Sequence, residues 1–329
     1  MNPDIARRFR RLGTLTIFAV YFVILVGGIV RASGAGMGCP DWPTCFGQLI
    51  PPTSEAQLPA NYHEIYAVGY TNTDFNVIKT WTEYLNRLTG VTIGFLIFLT
   101  LWASRAYLKT DKAVFYLSLT VFLLVGFQGW LGSIVVKTHL HPLMITAHML
   151  LALFIVALLI YVIARSQNDL LRQIDISALP ATFKTVLIVA MGFTLLQVGM
   201  GTQVREAVDL IATHHNYIDR EYWRDSFPLI FYIHRSFSAV ILFTNLWLAW
   251  KVYQSVDKSS LLFRLALVLV GLIISAILAG MSLDHLGMPP VAQPIHLLMA
   301  NLTFGVQFFI FICISYAAKN INRLAAPLS

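Results

Sequence analysis

Three histidines, His148, His234 and His296, each stand a few residues inside an apolar stretch of this 329-residue chain. A polar ring inside an apolar span costs a few kcal/mol unless it finds a partner, which makes each one a candidate functional residue. Taken singly, any of them is explained by a hydrogen bond to a neighbouring helix. As a pair, His234 and His296 lie at one depth on facing helices and can give both axial nitrogens to a haem iron, with the macrocycle slotted between them. Zinc is the rival metal, but the sequence offers no third or fourth ligand at that depth. The propionates of a porphyrin then need cations. Arg235 directly follows His234, Arg87 holds the equivalent place earlier in the chain, and Arg31 and Arg205 end two other spans on the same side. Guanidinium forks suit such carboxylates.

His148 precedes His296 by 148 positions, and Asn86 precedes His234 by the same number. An amide is a poor iron ligand, so a haem in the first half has His148 as its one obvious axial donor, and an open position on the metal admits oxygen or peroxide. His63, in the long first loop, is an alternative donor. Glu83 lies three residues before Asn86, on the same helical face, where it can move a proton or stabilise a cation, or be a hydrogen-bonded acid at a solvated helix end. His139, His141, His214, His215 and His285 fall in or beside loops and read as solvated.

The elements that must position these residues are set by composition. Apolar residues make up 57% of the chain and charged ones 12%, too few charges to cover a water-soluble domain of this size. Eight segments are apolar for about 20 residues, the length that crosses a bilayer: roughly 12–30, 83–104, 114–136, 143–164, 182–204, 229–250, 261–283 and 293–317. The fold expected is an all-α integral membrane protein. With the N-terminus inside, 15 of the 23 cations and 5 of the 16 acids fall on the inner side. That leaves +10 within and −3 without, so both termini are expected in the cytoplasm, and the net charge of +7 records topology rather than a nucleic-acid partner.

The 148-residue offset extends to Arg87 and Arg235, Gly132 and Gly280, Pro142 and Pro290, and Trp102 and Trp250. Gly27-Gly28-Ile29-Val30-Arg31 and Gly201-Thr202-Gln203-Val204-Arg205 close the first and fifth spans at a different offset, because the first loop is longer. Two pseudo-symmetric four-helix bundles of like orientation are expected, residues 1–170 and 171–329. Between the first two spans, Cys39 and Cys45 stand six residues apart on the oxidising side, where a bridge can persist. Cys313 reads as a small apolar residue.

The run from Gly27 to Gly47, Glu83 to Arg87, Gln128-Gly129-Trp130-Leu131-Gly132, Pro142 with His148, His234-Arg235, and Gln293-Pro294-Ile295-His296-Leu297 together resemble the haem A synthase family over nearly the whole chain. The resemblance implies a membrane oxidoreductase that oxidises a methyl group of haem O to the formyl group of haem A, for haem-copper terminal oxidases, in the bacterial inner membrane. It implies haem b between His234 and His296, with Arg205 and Arg235 on its propionates. It places the substrate haem between position 86 and His148, near Arg31 and Arg87, with Glu83 catalytic. The chain departs from the family at Asn86, where histidine is usual. The cysteine pair is a family feature, as a clasp or an electron acceptor. A haem O-making farnesyltransferase and an unidentified electron donor are the protein partners such an enzyme would meet. A non-enzymatic b-type membrane cytochrome and a haem transporter or chaperone are the alternative readings.

Overall fold

Lipid offers no partner to a bare peptide group, so an apolar run in a membrane closes its own N–H to C=O ladder as a helix. The computed structural model describes residues 3–66, 75–215 and 220–325. Among them are eight helices long and apolar enough to cross a membrane. These are α1 (Pro3–Ala32), α2 (Val77–Ser104), α3 (Lys112–Lys137), α4 (Pro142–Arg165), α5 (Phe183–His214), α6 (Leu229–Ser255), α7 (Leu261–His285) and α8 (Ala292–Ala325). No named strand occurs among the described residues. The protein is therefore an all-α, multi-pass membrane protein, with its spans where hydropathy puts them.

Several helices outrun their apolar windows because polar residues finish them. The side chains of Asn76, Asp111 and Ser260 accept from Lys79, Ala113 and Phe263 main-chain N–H groups, capping α2, α3 and α7. At its far end α5 runs on to His214, and an ion pair one turn apart, Arg205 to Asp209 at 2.6 Å, lies in this extension.

The chain divides into two compact units, Met1–Val156 and Ala157–Ser329, with the division inside α4. In the second unit α5 packs on α6, α6 on α7, α7 on α8 and α8 back on α5, a closed four-helix ring. Its densest core, including Leu187, Leu248, Leu262, Leu269, Ile310 and Cys313, fills the part of the ring remote from His234 and His296. Eleven residues beyond each of those histidines sit Asn245 and Gln307, both fully buried. Gln307 donates to Asn245 at 2.9 Å and accepts from the hydroxyl of Thr194 at 3.0 Å. Every polar atom in that clamp is answered, as hydrocarbon surroundings require.

In the first unit α1 packs on α2 and α2 on α3. Cys39 and Cys45 form a disulfide in the loop between α1 and α2. Around it Phe46 and Tyr62 make a small buried cluster with Phe75 and Tyr84.

Candidate functional site

Proline sets the entry of both histidine-bearing helices of the second unit. Pro228 caps α6 and Pro294 lies in the first turn of α8, where a missing N–H costs nothing. Those entries bring His234 and His296 together, with ring centroids 6.2 Å apart and planes at 70°. A glycine on a neighbouring helix backs each ring. A β-carbon on Gly201 of α5 would stand 3.3 Å from Cε1 of His234, and one on Gly280 of α7 would stand 3.1 Å from Cε1 of His296. Nδ1 of His296 lies 2.8 Å from the main-chain carbonyl of Ala276. As a carbonyl can only accept, that contact puts the proton on Nδ1 and leaves Nε2 as a free donor nitrogen. His234 has its main-chain carbonyl bound by the Gln197 amide at 3.0 Å, while its buried Nδ1 has no partner.

The same backing recurs in the first unit. A β-carbon on Gly132 of α3 would lie 3.4 Å from Cε1 of His148, and one on Gly27 of α1 would lie 4.0 Å from Oδ1 of Asn86. All four positions singled out by the sequence repeat thus face a glycine one helix away, which gives the matched glycines a packing reason. Gln128 donates to the main-chain carbonyl of His148 at 2.9 Å, and the ring Nδ1 is again buried without a partner.

Glu83 is 4% exposed and ties α2 to the disulfide loop. It accepts from the main-chain N–H of Cys39 at 2.8 Å and from Arg87 at 2.5 Å. The Arg87 fork also donates to the carbonyls of Asp41 at 2.7 Å, Thr44 at 2.9 Å and Cys39 at 3.0 Å. Four of its five N–H donors are therefore directed at the loop and Glu83. Asp41 holds the turn from within, accepting from the Phe46 and Gly47 N–H groups at 2.6 and 2.9 Å and from the Thr44 hydroxyl. Gly38 crosses the start of α2 so closely that a β-carbon would lie 2.4 Å from the carbonyl oxygen of Lys79, so only glycine fits there.

The remaining cations have neighbours of their own. Arg31 ends α1, where a positive charge complements the helix dipole. Arg205 donates to Gln293 at 2.5 Å beside its bond to Asp209. Asp284 lies 3.2 Å from Arg235 and 3.1 Å from Arg224. Asp284 and Gln197 are the site-bordering residues that the sequence motifs did not include, while Asp41 and Gln128 fell inside quoted motifs without a role assigned. The glutamines had a signal, since each precedes its ring-backing glycine by four residues, one helical turn. Among the described residues no group of three or more His, Cys, Asp or Glu side chains is placed to hold a metal ion. A metal here would take its remaining ligands from a bound group.

A protein of Shewanella oneidensis named haem A synthase is 33% identical over 153 residues, 46% of this chain and 44% of its own length. Less than half of that relative is therefore spanned. Proteins of the same name in Brucella suis and Brucella abortus are 23% identical over 342 aligned positions, covering 96% of this chain and 92% of theirs. The cytochrome oxidase assembly protein family COX15-CtaA matches residues 10–308. That match begins in α1, ends in α8 and takes in every histidine and glycine of the four backed positions, and on it the chain belongs to the COX15-CtaA family.

Proposed function

We propose that the protein is a haem A synthase, oxidising a ring methyl of haem O to the formyl group of haem A for haem-copper terminal oxidases. The observation that carries this reading is the 6.2 Å between the His234 and His296 ring centroids. Two metal–nitrogen bonds of about 2 Å and roughly 1 Å from each ring centre to its nitrogen come to about the same distance. His234 and His296 would thus hold the iron of a haem b between them, and that group would supply electron transfer in the second unit. Arg205 and Arg235 are the cations for its propionates, and a propionate would compete with Asp284 for Arg235.

In the first unit His148 is the axial donor for the substrate haem, with Asn86 at the position matched to His234. The bound iron supplies the oxidising chemistry at the methyl. Glu83 holds or moves a proton at that edge, its carboxylate aimed by Cys39 and Arg87. Arg31 is the cation for the propionates of the substrate haem, while Arg87 serves the substrate pocket chiefly by holding the loop. The protein lies in the bacterial inner membrane with both termini cytoplasmic, receives haem O from a farnesyltransferase, and draws electrons from a donor still to be identified.

Expression with a haem O source should place haem A in the pigment extract; unchanged haem O beside a folded, membrane-inserted protein would sink the reading. Asn86 favours a second one, a b-type cytochrome whose first half has lost its haem. Under it the purified protein carries a single haem and His148→Ala leaves the spectrum untouched.

A further inference from the structure

Among the buried side-chain polar atoms without a hydrogen-bond partner, four fall into two like pairs: Nδ1 of His148 with Oε1 of Gln128, and Nδ1 of His234 with Oε1 of Gln197. In each pair the glutamine already reaches the histidine, donating its amide N–H to that residue's main-chain carbonyl at 2.9 and 3.0 Å. Each amide therefore ends beside the residue whose ring is unanswered, with its acceptor unused. An unpaired buried ring nitrogen and an unpaired buried carbonyl are each costly.

His296 shows what the arrangement replaces. Its Nδ1 finds the main-chain carbonyl of Ala276, one turn before Gly280. Gln128 stands one turn before Gly132 and Gln197 one turn before Gly201, the same relation to the backing glycine. The fourth position, Asn86 against Gly27, has no ring, and there the residue one turn before the glycine is Val23. Nor are the glutamines copies carried by the repeat. The counterpart of Gln128 is Ala276 and that of Gln197 is Val23, so the amide occurs once in each unit, on helices the repeat does not equate.

We infer that Gln128 and Gln197 are positioning residues for the axial histidines: a turn of each ring as Nε2 meets iron would bring the Nδ1–H of His148 and His234 onto the unused amide oxygens, a bond the present ring orientations do not make, fixing the tautomer that leaves Nε2 for iron. The inference rests on the haem reading above. A ring that donates from Nδ1 is a more basic ligand at Nε2 and favours the oxidised metal. In the second unit the two axial rings differ in kind, one answered by a rigid main-chain carbonyl and one by a side-chain amide. Gln197 is thus the place where the protein sets the potential of the haem b iron.

The full-length protein, purified with its haem b, gives the test. Gln197→Met keeps the length of the side chain and removes the acceptor, and Gln197→Glu keeps the acceptor and strengthens it when ionised. The midpoint potential should rise in Gln197→Met and hold or fall in Gln197→Glu, with haem retention about tenfold to a hundredfold weaker in the methionine variant alone. Glutamine acting only as packing would shift both variants alike or neither, and that result overturns the inference. Should Gln197→Met fail to accumulate, a potential in Gln197→Glu above that of the wild type overturns it equally. His234→Ala and His296→Ala are run beside them. Loss of the low-spin spectrum in both shows that the haem reading stands whatever the glutamines do, and its persistence in both means that the haem reading itself has failed.

Discussion

A β-carbon at Gly280 would stand 3.1 Å from Cε1 of His296, closer than carbon atoms ordinarily pack, so the imidazole must give by a few tenths of an ångström. A ring held off its rotamer costs up to about 1.5 kcal/mol, a loss of haem retention of up to about tenfold. Gly280→Ala should show that loss while the helix itself gains about 1 kcal/mol from alanine's better propensity. The haem-to-protein ratio would fall as helical melting by circular dichroism rises. Gly129→Ala is the control, since a β-carbon there meets open space and only the propensity gain remains. Opposite signs in one variant separate a ring-backing glycine from a merely tolerated one. Glu83→Gln tests a second side chain at the same scale. The two bonds use different carboxylate oxygens, so the single amide oxygen keeps the bond from Cys39 or from Arg87 but not both; the loop keeps part of its anchor, and the side chain no longer takes up a proton. Haem A yield should drop by about a hundredfold or more, the usual worth of a general acid or base, with the haem b spectrum intact. An unchanged yield would remove Glu83 from the chemistry.

The loop between α1 and α2 is an element built from main-chain carbonyls, and that is why so little of it is legible in the sequence. Glu83 and Arg87 are four apart on a helix, and such a pair is readable directly. Their partners at Cys39, Asp41 and Thr44 lie 43 to 48 residues earlier and offer backbone groups, which every residue has and no pattern marks. The spans are the opposite case, since hydrocarbon demands some 20 apolar residues in a row and leaves that demand written in the chain. Helix ends fall between these extremes, because the continuation of α5 to His214 depends on local pairs such as Arg205 with Asp209. Arg87→Met would leave the buried Glu83 carboxylate with the Cys39 N–H but without its cation, and breaking a buried pair from one side costs about 3–5 kcal/mol. The loop should open locally, and Cys39 and Cys45 should be reduced by added thiol markedly faster than in the wild type. Because the change lies within the first unit, the low-spin spectrum of the second should persist. Equal reduction rates would show that the disulfide and its aromatic cluster hold the loop without Arg87.

Across the whole molecule the two units keep one local rule, a repeat-matched polar side chain backed by a glycine on the next helix, and differ in how fully they apply it. The 148-residue repeat made those positions legible in the sequence, because matched glycines and histidines survive where the ring must pack. What the repeat could not display was the tuning of each ring, since Gln128 and Gln197 break it. Asn86 breaks it too, and its consequence belongs to the molecule as a whole. If His148 is the sole protein donor in the first unit, the substrate-loaded protein contains one six-coordinate and one five-coordinate iron, and its spectrum is the sum of a low-spin and a high-spin haem. Asn86→His restores the residue present at His234, on the helix face opposite Gly27, where even a β-carbon would stand 4.0 Å from Oδ1 of Asn86. The high-spin component should then convert to low spin with the haem content unchanged, and haem A formation should fall if the open position is where the oxidant enters. His148→Ala should instead remove the first-unit haem and leave the low-spin spectrum of the second. A wild-type protein already wholly low-spin with two haems bound would show that another side chain supplies the sixth ligand, and Asn86→His would then change neither spectrum nor yield.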